Sequence, residues 1–528
     1  MKETAKGKLV KRFYALYNAG RWPAKLELNV NNNRPWQIAF AIVLNTGNHT
    51  KKRIAFFFIK TFLSNFWYTV INKNQYIMKR LFNLSTGYVK QLLVFAVIIF
   101  SLLAGCNKLE HLPAARPNDA GKYSSEVIDK WLTMQIRLMK NATGIPNVLF
   151  CRYYAYTGLT AYEAIAPGTS LGEGINSKLN GLTNLPLANG FKLYYWPASV
   201  NAALAAVNRS IFVNASMADI AAIDSLENAL NTDYSAEAHG DVLTRSNEFG
   251  KSVAAAVFNW SATDGIASVG AAYTPPVGAG LWVPTPPAFG AASTPYFGNL
   301  RTIVTGSTNN SQPGAPIAYS EDPNSAFYKM VLNVYSVSQN LNPVQKSQGL
   351  FWRDIPGVKT GGHWESILQQ VLKQTSARLD KAAVAYAVTG ICNSDPSISC
   401  WQTKYHYNLV RPVTYIRNVM GFSSWNPLLT TPAHPEYSSV HAVLSAATAD
   451  AFTALFGDIG NFTDHTYDYL GFTPRTFSSF RAIGEDAGNS RVFAGIHYQP
   501  SVDTGLVQGR KVAATILSSL GFQTNVEK

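Results

Sequence analysis

Eight stretches of helix-period apolar patterning, set against almost no strict alternation, confine this chain to helical architectures. They run over 124–139, 148–164, 200–230, 244–261, 326–340, 364–388, 439–456 and 504–520. Helices of this length hide their apolar stripes against one another, so bundles are the natural outcome. Between 263 and 298 lies a stretch rich in Gly, Pro and Ala that also holds Trp282 and Phe289. It is either a flexible linker or an extended segment pressed on the helices, and the two aromatics favour the second. We therefore expect an all-α fold with few or no strands. Its first bundle would span about 120–262 and its connector 263–300, with a second bundle over about 320–525.

The N-terminal hundred residues follow other rules. Met78-Lys79-Arg80 opens a basic stretch, 92–103 is almost wholly apolar, and Leu103-Ala104-Gly105-Cys106 follows. This resembles a lipoprotein-type signal peptide, with a short apolar core, small residues and a Cys to receive lipid. The apolar run is too short for a comfortable membrane span. The expected organisation is a signal peptide over 78–105, lipidation at Cys106 and a single helical domain over 106–528. Residues 1–77 would be upstream sequence outside the true reading frame start at Met78. The protein would then sit in the cell envelope, membrane-anchored by lipid as a periplasmic or outer-membrane lipoprotein.

Charge supports this division. Sixteen of the 45 Lys and Arg, but two of the 31 Asp and Glu, precede Cys106, leaving 29 of each sign from there on. The formal +14 of the whole chain is therefore no argument for nucleic-acid binding. Beyond Cys106 no basic patch with interleaved aromatics occurs, and no apolar run reaches membrane-spanning length. Cys392 and Cys400 could form a bridge in an oxidising compartment or remain buried thiols, as could Cys151.

Three clusters near the C-terminus carry the chemistry. They are Lys404-Tyr-His-Tyr-Asn-Leu-Val-Arg411-Pro412, His434-Pro-Glu-Tyr-Ser-Ser439-Val-His441 and Ser490-Arg491-Val-Phe-Ala-Gly-Ile-His497. Together they offer three permanent cations, imidazoles and a hydroxyl at a helix start. Arg binds two oxygens of an oxyanion at once, and Lys adds a compact point charge. Lys404 and Arg411 are close to two helical turns apart and can share a helix face, with Pro412 ending the helix at Arg411. Trp401 and Tyr405 flank Lys404 at helix-neighbour spacing. Ser438 or Ser439 can cap an Ala-rich helix from Val440 to Phe456 that Gly457 stops, so its free N–H groups face any anion placed there. Arg491 and His497 can reach one ligand only if their helix ends near Gly495, leaving His497 in the turn before Pro500. Asp395 could pair with one of these cations.

The three clusters in this order resemble the vanadium-dependent haloperoxidases and the acid phosphatases that share their fold. The first and third fit the family's Lys-x6-Arg-Pro and Ser-Arg-x5-His patterns completely, and Trp401 matches a pocket-wall Trp of the haloperoxidases. The second departs from Pro-Ser-Gly-His, with Val440 replacing Gly. The segments Trp282–Phe289 and Gly362-His363-Trp364 also look like features of bacterial members. Where many relatives carry an Asp four residues after the last His, this chain has Ser501, and its nearest acid is Asp503. The position calls for a carboxylate to support the imidazole, so its loss counts more heavily against a phosphatase, where that His is the nucleophile.

The resemblance implies vanadate as cofactor, with phosphate able to take the same site, and hydrogen peroxide and halide as substrates. His497 would ligate vanadium, and His441 would be the acid–base group. Lys404, Arg411, Arg491, Ser439 and the Val440 amide would hold the oxyanion, Lys404 also polarising peroxide. Because ligation needs a neutral imidazole, vanadate binding is expected to weaken in acid through the ordinary histidine range. The alternatives are a soluble acid phosphatase working through a phosphohistidine at His497, and a non-catalytic surface lipoprotein.

Overall fold

The first helices follow from simple amphipathic patterning. In the computed structural model, which describes residues 119–169, 174–354, 358–359, 361–457 and 459–522, they are α1 (Glu126–Asn141), α2 (Leu149–Glu163), α3 (Trp196–Ile211), α4 (Met217–Ser235) and α5 (Asp241–Ser261). Residues 1–105, with the expected signal peptide, and Cys106 lie outside the described residues. The apolar pattern over 200–230 suggested one helix, but the structure breaks it at 212–216. Ser216 there accepts a hydrogen bond from the Asp219 amide and starts α4.

The remaining helices are α6 (Ala326–Gln339), α7 (Pro343–Phe351), α8 (Gly362–Gln374), α9 (Leu379–Tyr407), α10 (Pro412–Asn418), α11 (Val440–Phe456), α12 (Phe480–Phe493) and α13 (Gln499–Leu520). Strands β1 (Phe462–Asp464) and β2 (Arg475–Phe477) pair antiparallel, Thr463 opposite Thr476. The expected 364–388 helix is likewise two, α8 and α9, parted where Ser376 takes a positive φ of 49°. Among the described residues the fold is all-α apart from that one short hairpin.

The long helix α9 is the spine. It packs along α2 on one side and against α11 and α13 on the other. Gly158 of α2 and Gly390 of α9 make the first contact close: a Cβ on either would strike the partner helix backbone, at Tyr386 and Tyr154 respectively. Gly505 and Gly509 do the same for α13 against the backbone of Ser439 and Val443. That approach lets the Ser439 amide donate to the Ser501 carbonyl at 3.2 Å, fixing the start of α11.

The 263–298 stretch lies partly on the helices. Trp282 is buried, its amide donates to the Asn408 carbonyl at 2.6 Å, and the Val410 amide donates to Gly280 at 2.9 Å. Phe289, by contrast, is exposed. Asp395 pairs with no cation; it accepts from the Ile303 and Val304 amides at 2.7 and 3.0 Å and from Ser307 Oγ at 2.7 Å. Its carboxylate holds the segment just after the connector onto α9 instead. Cys151, Cys392 and Cys400 are buried thiols outside any disulfide, so the possible Cys392–Cys400 bridge is absent. Among the described residues no helix is long and apolar enough to cross a membrane.

Candidate active site

Lys404 sits in the last turn of α9, and Arg411 does not share its helix. Asn408 adopts the left-handed conformation that ends α9 (φ 46°), and Arg411 is extended (φ −79°, ψ 151°) as the residue before α10. The helix therefore stops ahead of the position that Pro412 suggested. Pro412 instead supplies the first turn of α10. Both cations still reach one place because the chain turns back on itself. Lys404 Nζ donates to the carbonyls of Pro435 and Glu436 at 3.0 and 2.9 Å. Two of its three N–H groups are thus used and one remains.

Arg411 is held more completely. Its Nε donates to the His434 carbonyl at 2.8 Å and one terminal nitrogen to the Ile496 carbonyl at 2.9 Å. The same nitrogen lies 3.2 Å from His497 Nε2, and the other lies 3.0 Å from His434 Nδ1. Arg491, at the end of α12, spends Nε on Ser490 Oγ at 2.9 Å and one terminal nitrogen on the Gly349 carbonyl at 3.4 Å, and it lines the cavity. Burial lowers all three cations, Lys404 to about 8 and both Arg411 and Arg491 to about 10. Each remains charged at neutral pH.

His497 stands in the link between α12 and α13, after Gly495 with φ 75°. Its Nδ1 is 2.7 Å from Glu436 Oε1. Glu436 also accepts from the Tyr498 amide at 3.0 Å and from Ser501 Oγ at 2.6 Å, and it has no exposed surface. The supporting carboxylate missing after His497 is therefore present, supplied by the second cluster, and Ser501 serves to hold it. With Glu436 as acceptor, Nδ1 carries the proton and Nε2 keeps its lone pair. Burial, then Arg411 and Lys404, hold His497 well below the ordinary histidine range. The acid loss of vanadate binding expected from an ordinary histidine is thus moved to lower pH, and the ring is neutral through that range.

At the start of α11, Ser439 occupies the capping position but makes no side-chain cap. Its Oγ is fully buried without a hydrogen-bond partner. A buried hydroxyl of this kind asks for a ligand. Val440 and His441 follow in the first turn and line the cavity with Arg491 and His497. His441 Nε2 is 3.5 Å from Asp354 Oδ1. Burial and Arg491 lower its pKa against the opposing pull of Asp354. Three buried cations face one fully buried carboxylate, an imbalance that a tetrahedral oxyanion would correct.

Trp401 lines the same cavity, its indole donating to Thr294 Oγ1 at 3.2 Å and its ring 5.1 Å from His434. Tyr405 is bonded to the Ser293 carbonyl at 2.7 Å and is not part of the lining. Sequence reasoning missed Glu436, His434 and Asp354 as members of the site. One signal for Glu436 was available: it is the only acid between Asp395 and Asp450. Nothing local marks Asp354.

Residues 384–523 match the family model described as the VCPO second helical-bundle domain. The crystal structure of the first bacterial vanadium-dependent iodoperoxidase is similar over 75% of this chain and 96% of its own, with 29% identity and a TM-score of 0.68. The matched domain and the fold are similar to those of the vanadium haloperoxidases. Holo- and apo-forms of a bacterial vanadium-dependent chloroperoxidase share the fold at 17% identity and TM-score 0.56, covering 72% and 71% of this chain and 95% and 93% of theirs. No curated protein matches it. In this chain the matched region carries Trp401, all three clusters and the Glu436–His497 pair, whereas Asp354 lies ahead of it.

Proposed function

We propose that this chain oxidises a halide ion with hydrogen peroxide to hypohalous acid, with vanadate as cofactor. The observation that carries this reading is His497: a buried neutral imidazole whose Nδ1 is fixed by Glu436 and whose Nε2 sits among cations beside an unpartnered Ser439 hydroxyl. Vanadate bound there would supply Lewis-acid activation of peroxide without an electron-carrying cofactor. His497 would ligate it through Nε2. Arg491, Arg411 and the remaining N–H of Lys404 would offset the oxyanion charge, and Ser439 Oγ and the Val440 amide would hold its oxygens. His441, kept neutral by burial, would take the proton that peroxide loses, and Lys404 would polarise the bound oxidant.

Protein spanning 107–528, prepared without phosphate, should oxidise iodide or bromide with peroxide only after orthovanadate is added, and added phosphate should compete. Absence of any vanadate-dependent oxidation would sink the reading.

One observation supports a second reading. Glu436 gives His497 the support that a phosphohistidine mechanism needs, so the missing acid at Ser501 no longer argues against phosphatase chemistry. His497 Nε2 would attack phosphorus and His441 would protonate the leaving group. Hydrolysis of a phosphate monoester by the same preparation, inhibited by vanadate, would favour it.

The signal-like segment before Cys106 supports a lipid-anchored envelope protein that begins at Met78 and is cut ahead of Cys106. Mass spectrometry of native membranes should find acylated Cys106 at the mature N-terminus. Any peptide from 1–77 would refute that start.

A further inference from the structure

The cavity in front of His497 has a volume of about 460 Å³. A water molecule takes roughly 30 Å³ of liquid, and an engineered cavity of roughly 150 Å³ holds benzene. Vanadate at His497, peroxide and a halide ion would leave much of this space unused. The volume falls instead in the usual range for an organic ligand, roughly 300–1,000 Å³. Much of the remaining wall is apolar, formed by Val148, Leu429, Pro432 and Trp401.

Two polar atoms on this wall have no partner and no part in holding the oxyanion. Thr431 is 6% exposed, and its Oγ1 is buried and unpaired. Arg353 Nε is likewise buried and unpaired. The charge here is uneven too. Two guanidinium groups, Arg353 and Arg491, line the cavity with one carboxylate, Asp354. That carboxylate already receives Asn147 Nδ2 at 3.3 Å and lies 3.5 Å from His441.

We propose that the cavity binds an aromatic acceptor bearing a carboxylate, anchored by Arg353 and Thr431, and halogenates it in place. Arg353 matches a carboxylate through its planar fork, Thr431 adds a hydroxyl donor, and the apolar wall takes the ring. The inference rests on the peroxidase reading of the site. Peroxide, halide and one proton give hypohalous acid and water. The hypohalous acid then passes its halogen to a ring carbon, forming the carbon–halogen bond. The ring C–H bond breaks, and its proton leaves with the displaced hydroxide as water.

The probes are 4-hydroxybenzoate and its neutral methyl ester. Calorimetry on vanadate-free protein should show saturable binding of the acid and at least tenfold weaker binding of the ester. Arg353→Gln and Thr431→Val should each remove most of that preference. With vanadate, peroxide and bromide present, an equimolar mixture should give a brominated acid-to-ester ratio several-fold above that from reagent hypobromite. An equal ratio would overturn in-place halogenation, and no saturable binding would overturn the site itself. Binding of the acid without any halide oxidation would instead uphold the cavity assignment and refute the peroxidase reading. Thr431→Val is nearly isosteric, so it decides the point if Arg353→Gln does not fold.

Discussion

His497→Ala is expected to leave no vanadate-dependent halide oxidation, and Glu436→Ala to weaken vanadate binding about 10–100-fold without touching the oxyanion. Glu436 acts through the imidazole. It holds the Nδ1 proton in place at 2.7 Å, so Nε2 presents its lone pair. Its charge also offsets Arg411 and Lys404, both fully buried. Removing it should therefore cost fold stability as well, since buried cations would be left without their carboxylate. Glu436→Gln separates the two effects. Its amide oxygen can still accept from Nδ1 and from the Tyr498 amide, and its NH2 can donate to Ser501. Nitrogen-15 NMR should then show His497 still protonated at Nδ1 in the Gln variant and a mixture of tautomers in the Ala variant. Identical tautomer populations in wild type and Glu436→Ala would count against the positioning role.

Asp395→Ala should destabilise the fold by on the order of 3–5 kcal/mol, because two amides and a hydroxyl would be left buried without an acceptor. The carboxyl also sets a pH dependence. Burial raises its pKa from 3.8 to about 6, against the opposing hydrogen bonds. A carboxyl with a raised folded pKa favours the folded state most below its unfolded value, near 3.8, and that stabilisation is lost as pH rises through about 6. The full difference for this group is roughly 3 kcal/mol. Urea denaturation at pH 4 and pH 7 should show most of it in wild type and none in Asp395→Asn. A wild-type minus variant difference that stays constant between those pH values would refute this assignment.

Much of the fold was legible in local pattern. The helix from Val440 to Phe456 and its stop at Gly457 were readable because apolar period and left-handed glycine act within a few residues. The position of His497, between the end of α12 and Pro500, was readable for the same reason. Where two helices follow each other closely, the apolar stripe runs through the break. Ser216 and Ser376 were therefore overlooked as boundaries, and the end of α9 at Asn408 was placed too late.

The partners of the buried charges are another matter. Sequence alone determined which groups exist: Lys404, Arg411 and Arg491 as cations, His441 and His497 as imidazoles, Ser439 at a helix start. It could not determine that Glu436 supports His497 across 61 residues, that Asp354 approaches His441, or that Asp395 holds the backbone at Ile303 and Val304 rather than a cation. A hydrogen bond lies in the distance between two atoms, and over such separations that distance is set by how α9, α11 and α13 pack. Local propensity fixes each helix; only their close approach, permitted by Gly505 and Gly509, brings Ser439, Ser501 and the Glu436 carboxylate into one arrangement.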